Sequence, residues 1–147
     1  MFRLASRSDI EPLIAMMREF YALDGIAFDE PAAREALRTL LGDAALGRVW
    51  IAEDAGAAVG YVVLTLGFSL EFKGRDAFID EIYFREGHRG RGLGRQAMEL
   101  MVDACRSLGV RALHLEVGRE NETALEFYRR HGFADHNRGL MTRWITP

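Results

Sequence analysis

Arg89, Gly90, Arg91, Gly92, Leu93 and Gly94 run consecutively between an apolar stretch, 78–84, that reads as a strand and another, 96–102, that reads as a helix. A glycine-rich turn at a helix start leaves backbone N–H groups unpaired and aimed outward, where the helix dipole adds partial positive charge. Such a place suits a phosphate, and Arg89, Arg91 and Arg95 reinforce the sign. Two phosphate motifs can be tested against the run. A P-loop needs Gly-x-x-x-x-Gly-Lys-Ser/Thr, and the chain has no Lys-Ser or Lys-Thr. A dinucleotide fingerprint needs Gly-x-Gly-x-x-Gly early in a βαβ unit, whereas the spacing from Gly90 is Gly-x-Gly-x-Gly, past the middle of a short chain. Neither fits, and Arg-x-x-Gly-x-Gly between a strand and a helix remains.

The elements that must position this turn follow from the apolar pattern. Residues 2–5 read as a short strand. Ser8, Asp9 and Glu11 with Pro12 open a helix whose Ile10, Leu13, Ile14, Met17 and Phe20 recur at helical spacing. Pro31 and Gly42 bracket a second helix carrying Leu37, Leu40 and Leu41, with a loop over 21–30 between the two. The runs 49–53 and 59–66 are β-rich and separated by Asp54, Ala55 and Gly56, a hairpin signal. An aromatic-rich polar connection, 67–75, precedes the strand 77–84. The helix 93–108 ends at Gly109, followed by a strand at 113–117 and a helix at 121–131 stopped by Gly132. Segments 133–135 and 140–145 are expected to form a closing hairpin.

Arg-x-x-Gly-x-Gly at this turn resembles the pyrophosphate-binding signature of the GNAT superfamily of acyl-CoA-dependent N-acetyltransferases. The segment from Asn121 to Phe133 is similar to that superfamily's Asn-x-x-Ala-x-x-Phe-Tyr-x-x-x-Gly-Phe block. The order βααβββαβαββ matches the GNAT fold over essentially the whole chain. The resemblance implies one domain over residues 1–147 of α/β (α+β) class, with a central mixed, mostly antiparallel sheet and helices on both faces.

It also implies roles. The pantetheine arm of acetyl-CoA would pair with the backbone of Ile82, Tyr83 and Phe84 like an added strand. Its pyrophosphate would rest on the amides from Arg89 through Gly90, Arg91, Gly92 and Leu93 to Gly94, with Arg95 at the rim. Asn121 matches a position that hydrogen-bonds the pantetheine arm, and helix N-capping is an equal alternative for it. Amide formation needs a neutral amine, yet alkylamines are almost wholly protonated at neutral pH, so a base must take a proton and an acid must protonate the departing thiolate. Tyr128 matches the superfamily's general acid. For the base, Asp80 and Glu81 are candidates; adjacent in a strand, they are expected on opposite sides of the sheet, Glu81 with the parity of Ile79 and Tyr83. Segment 79–84 resembles Leu-Glu-Asp-Leu-Tyr-Val of polyamine-type members with the acids swapped. Either acid could take the proton, Glu81 having the better offset from the glycine turn, or the pair could only bind the amine.

The acceptor pocket is expected from Tyr21 and Phe28 together with Phe68, Glu71 and Phe72, an aromatic and acidic wall suited to a cation. A small primary amine is the leading acceptor; a protein N-terminus or a lysine is an alternative, as is a non-catalytic acyl-CoA sensor. Homodimerisation is compatible with each of these.

Composition narrows the classes. At 147 residues with 49% apolar residues and a net charge of −3, the chain can bury a core and lacks the basic excess of a nucleic-acid surface. No apolar run is long enough to span a bilayer, and the first residues lack a signal-peptide pattern, so a cytoplasmic location is expected. The lone Cys105 lies on the apolar face of its helix and reads as a core residue. His88, His114, His131 and His136 have no metal-ligand spacing, and no metal is expected.

Overall fold

The computed structural model describes residues 1–146. Strand β1 (Phe2–Leu4) and a 3₁₀ turn (Arg7–Asp9) lead into helices α1 (Ile10–Leu23) and α2 (Glu30–Gly42). Strands β2 (Gly47–Asp54), β3 (Ala57–Ser69) and β4 (Gly74–Phe84) follow, then helix α3 (Leu93–Ser107), strand β5 (Ala112–His114) and helix α4 (Glu122–Arg130). Residues up to Glu116 form one compact unit and those from Val117 onward a second.

In the first unit the strands lie in chain order, β1 to β4 antiparallel and β5 parallel to β4. A parallel neighbour requires a crossover, and α3 supplies it. Alternation sends Val49, Ile51, Tyr61, Val63 and Tyr83 to one face, where they pack with Leu13, Ile14, Met16 and Met17 of α1 and Leu37 of α2. Val62, Leu64 and Ile79 are buried on the opposite face, toward α3 and its inner stripe of Ala97, Met98, Met101 and Cys105. Each buried Val, Leu, Ile or Met among them contributes on the order of 1.5–3 kcal/mol by leaving water. Cys105 is a buried free thiol within that stripe, as its apolar neighbours suggest.

Three expectations are corrected. Strands β3 and β4 run through most of the aromatic segment to a turn at 70–73, because the extended pairing continues as far as Ser69 opposite Gly74. Asp9 stands at the N-cap position of α1, but its side chain does not cap that helix. Its carboxylate turns back to accept two hydrogen bonds from the Arg3 guanidinium, at 2.8 and 2.9 Å, and one from the Ser6 N–H at 2.8 Å, since charge-assisted bidentate bonds outweigh a single cap. The closing hairpin is absent: residues 133–146 hold no strand. Asp135 Oδ1 accepts the N–H of Asn137 at 2.7 Å, with Asn137 at φ +55°, which bends the chain locally. Leu140, Met141, Trp144 and Ile145 are 69–95% exposed, so no apolar burial supports pairing there. Among the described residues the sheet therefore has five strands, and the last two of the expected order do not form there.

The Arg3–Asp9 pair makes a stability prediction. Asp9 is only 6% exposed, and the Arg3 bonds hold its carboxyl below the ordinary range. Its contribution is present above the unfolded carboxylate pKa and lost as pH falls through the depressed folded value. Asp9→Asn should cost about 1–3 kcal/mol at pH 7 in urea unfolding, and the difference from the parent protein should shrink in acid.

Candidate active site

Strand β4 is paired with β3 along its whole length, but its bonds to β5 cover only Asp76 to Phe78 opposite Ala112 to His114. Beyond Phe78 the pairing stops, because β5 ends at His114. Among the described residues, β4 from Ile79 onward has β3 as its sole strand partner, which leaves main-chain groups on the other edge open to an extended ligand. At the far end of that stretch Ile82, Tyr83, Phe84 and Arg89 join Phe20, Leu23 and Asp24 from the end of α1 around a hollow of about 320 Å³.

The glycine turn closes this end. Gly90 and Gly92 hold φ of +74° and +81°, a left-handed backbone that a Cβ would strain. Gly92 is the N-cap of α3, and the first helical bond runs from the Gln96 N–H to its carbonyl. The N–H groups of Leu93, Gly94 and Arg95 come before that bond and have no helical acceptor. Arg89 folds back: its Nε–H donates to the Phe84 carbonyl at 2.7 Å and its guanidinium lies 5.7 Å from the centre of the Tyr83 ring.

A β-bulge shapes the acidic pair. Val63 lies opposite Glu81 and Leu64 opposite Ile79, so Asp80 is the extra residue. Simple alternation therefore fails at this point. Glu81 shares a face with Val63, Tyr61 and Tyr83, whereas Ile79 is on the other side, contrary to the expected parity. Asp80, the bulged residue, is exposed, and its charge adds to that of Glu81 at the Tyr21 hydroxyl.

Glu81 is partly buried and doubly bonded. The Tyr21 hydroxyl donates to Oε2 at 2.5 Å and the Tyr61 hydroxyl to Oε1 at 2.7 Å. Burial raises the Glu81 carboxyl above its usual range, the two hydroxyls oppose that rise, and the nearby Asp80 charge adds to it. Asp80 reaches solvent at one side, yet the protein around it raises its carboxyl also.

A second polar network ties α1 to β4. Arg85 grips Glu19 through Nε and a terminal nitrogen at 3.0 and 2.9 Å, and the Tyr83 hydroxyl donates to the same carboxylate at 2.9 Å. Arg85 also donates to the Ala58 carbonyl at 2.9 Å.

The expected acceptor residues divide. Tyr21 meets Glu81 directly and stacks edge-on against Phe28, ring centres 5.3 Å apart. Phe68 is opposite Arg75, so the register puts it on the sheet face away from Glu81, and it is 70% exposed. Phe72 and Glu71 belong to the β3–β4 turn, where Phe72 packs 4.7 Å from the His114 ring. His114 in turn bonds Asp76 at 3.2 Å. In the second unit Asn121 caps α4, its side chain accepting the Ala124 N–H at 3.2 Å. Tyr128 is packed between Phe127 and Phe133, and burial raises its hydroxyl above the usual phenol value.

Sequence reasoning missed Tyr61, Glu19 and Arg85. A signal for Tyr61 existed: a tyrosine inside the apolar run 59–64 is a buried hydroxyl that must find a partner. No comparable signal marked Glu19 or Arg85. Among the described residues no group of three or more His, Cys, Asp or Glu could hold a metal, and no helix is long and apolar enough to cross a membrane.

The family model described as Acetyltransferase (GNAT) matches residues 14–133. The uncharacterised N-acetyltransferase MJ1207 of Methanocaldococcus jannaschii is 33% identical over 97 residues, 65% of this chain and 42% of that protein. The chain thus spans less than half the length of that relative. A thialysine N-epsilon-acetyltransferase of Bos taurus is 25% identical over 144 residues, 92% of this chain and 84% of that one. Among solved structures, the integron cassette protein HFX_CASS3 from the mobile metagenome of Cole Harbour Salt Marsh has a TM-score of 0.88 and 38% identity, covering 99% of this chain and 91% of that chain.

The raised Glu81 carboxyl has a thermodynamic signature. The fold binds its proton more tightly than the unfolded chain does, so stability is favoured below the unfolded carboxylate pKa and drains as pH rises through the folded value. Glu81→Gln removes this dependence. Denaturant unfolding at about pH 4 and pH 7 should show the variant gaining on the parent protein as pH rises; a constant difference between them would contradict the buried-acid account.

Proposed function

This chain belongs to the GNAT acetyltransferase family, and we propose that it moves an acetyl group from acetyl-CoA to a primary amine, with a small cationic amine as acceptor. The observation that carries the reading is the edge of β4 left unpaired beyond Phe78, with the buried Glu81 carboxyl on that same stretch. Bound acetyl-CoA supplies an activated acetyl thioester. Ile82, Tyr83 and Phe84 line the strand edge offered to it, where the Phe84 carbonyl already accepts from Arg89, and the amides of the glycine turn, which no helical acceptor uses, offer its pyrophosphate donors.

Glu81 is the base in this reading. An ammonium entering beside Tyr21 meets two carboxyls, Asp80 and Glu81, whose charges favour a cation. A carboxyl raised by burial is a better proton acceptor than an exposed one and sits closer in pKa to its task. Asp80 holds the ammonium beside Glu81, which takes its proton and frees the nitrogen lone pair to form the amide bond as the thioester carbon–sulfur bond breaks. Tyr128 is the general acid by motif position. Its raised pKa keeps the phenol protonated at neutral pH, the state needed to donate a proton to the departing sulfur. The aromatic pair Tyr21 and Phe28 and the acids suit a small organic cation. A relative named for acetylating the epsilon nitrogen of thialysine points to the same acceptor class.

A thiol-release assay with acetyl-CoA against diamines, polyamines, amino acids and short peptides tests the reading, with acetyl-CoA binding followed by calorimetry. Turnover is expected on the small cationic amines. Tyr128→Phe should lower kcat by about 10²-fold while acetyl-CoA affinity changes by less than about twofold. Gly92→Ala should do the reverse: the free turn relaxes away from the left-handed backbone, and restoring it on binding costs ~1–2 kcal/mol, roughly tenfold in acetyl-CoA affinity. Binding without turnover on any amine would move the assignment to an acyl-CoA sensor.

A further inference from the structure

We propose that Tyr61 and Tyr21 are positioning residues for Glu81, each supplying a hydroxyl donor to one oxygen of its carboxylate. The proposal rests on the reading of Glu81 as the base and assigns a task to two side chains outside the transfer itself.

The geometry is specific. Tyr61 donates to Oε1 from the central strand β3, and Tyr21 donates to Oε2 from the last turns of α1. The terminal torsion of a glutamate is broad and roughly two-fold, so one donor leaves the carboxylate free to rock. Two donors from different elements fix its plane. Tyr61 is 1% exposed, so water cannot replace it, and its ring is held against Tyr83 with centres 6.1 Å apart. Tyr21 is anchored by Phe28 and Phe20, at 5.3 and 5.9 Å.

The groups around Glu81 also divide by sign. Asp80, next to it on β4, opposes its ionisation, and so does burial. Tyr83 lies on the same face, but its hydroxyl is committed to Glu19, which Arg85 neutralises. Tyr61 from β3 and Tyr21 from α1 are thus the donors that favour the charged form of Glu81. Both phenols stay protonated beside the carboxylate and remain donors throughout the working pH range. The clamp lets a buried acid be ionised when the ammonium arrives.

The test compares Tyr61→Phe, Tyr21→Phe and Glu81→Gln. The Glu81 carboxyl is titrated by carbon NMR in the unliganded protein, and the acid limb of kcat/KM is measured on the best amine from the panel. Each phenylalanine variant should raise the Glu81 midpoint, and with it the acid limb, by about one pH unit. Acetyl-CoA affinity should stay within about twofold, a control for folding. Glu81→Gln should abolish the limb. Unmoved midpoints in folded Tyr→Phe variants, with the limb lost in Glu81→Gln, would overturn the clamp and leave the base in place. A limb that persists in Glu81→Gln would instead overturn the base assignment and the clamp with it. Tyr21, at the margin of the core, keeps the test open if Tyr61→Phe does not fold.

Discussion

Backbone hydrogen bonding along β4 governs this molecule. One edge of the strand is satisfied by β3 over its full length, while the other is satisfied by β5 for three residues only. An unpaired N–H or C=O away from water is costly, so an interior strand that loses its neighbour must meet solvent or a ligand. The end of the β4–β5 pairing at Phe78 is thus the constraint on which the proposed ligand cleft rests. The same strand leads directly into the glycine turn, so that edge and the free amides of α3 belong to one continuous stretch of chain.

The bulge at Asp80 is the second consequence of how β4 pairs. One extra residue reverses the facing of everything beyond it. Without it Glu81 would fall on the side of Val62 and Leu64, among apolar residues that offer no donor. With it Glu81 comes to the side of Tyr61 and Tyr21, where both carboxylate oxygens are bonded. A buried carboxyl is tolerable there because its polar atoms are satisfied, and it stays costly enough to ionise that its pKa is raised.

Helix α1 depends on the same strand end. The Glu19 carboxylate, gripped by Arg85 and Tyr83, holds the helix against β4, and the hydroxyl of Tyr21 lies two residues further on. A rigid helix carried by a part-buried ion pair delivers that hydroxyl more reproducibly than the loop over 21–30 expected from sequence could. Activity in this proposal thus draws on packing between α1 and the sheet as much as on the motif that reveals the family.

What the sequence determined by itself is local: the helix stripes, the strand alternation before the bulge, and the glycine turn whose left-handed residues only glycine adopts without strain. These signals depend on neighbours three or four residues away, and they sufficed for the family. Tertiary structure alone decided which acid is buried and what holds it. Tyr21 and Tyr61 are 60 and 20 residues from Glu81, and a one-residue bulge leaves no mark in composition or periodicity. The closing hairpin failed for the same reason: residues 140–145 have strand-like composition, but a strand forms only where a paired edge and a buried face exist to receive it, and their apolar side chains remain exposed.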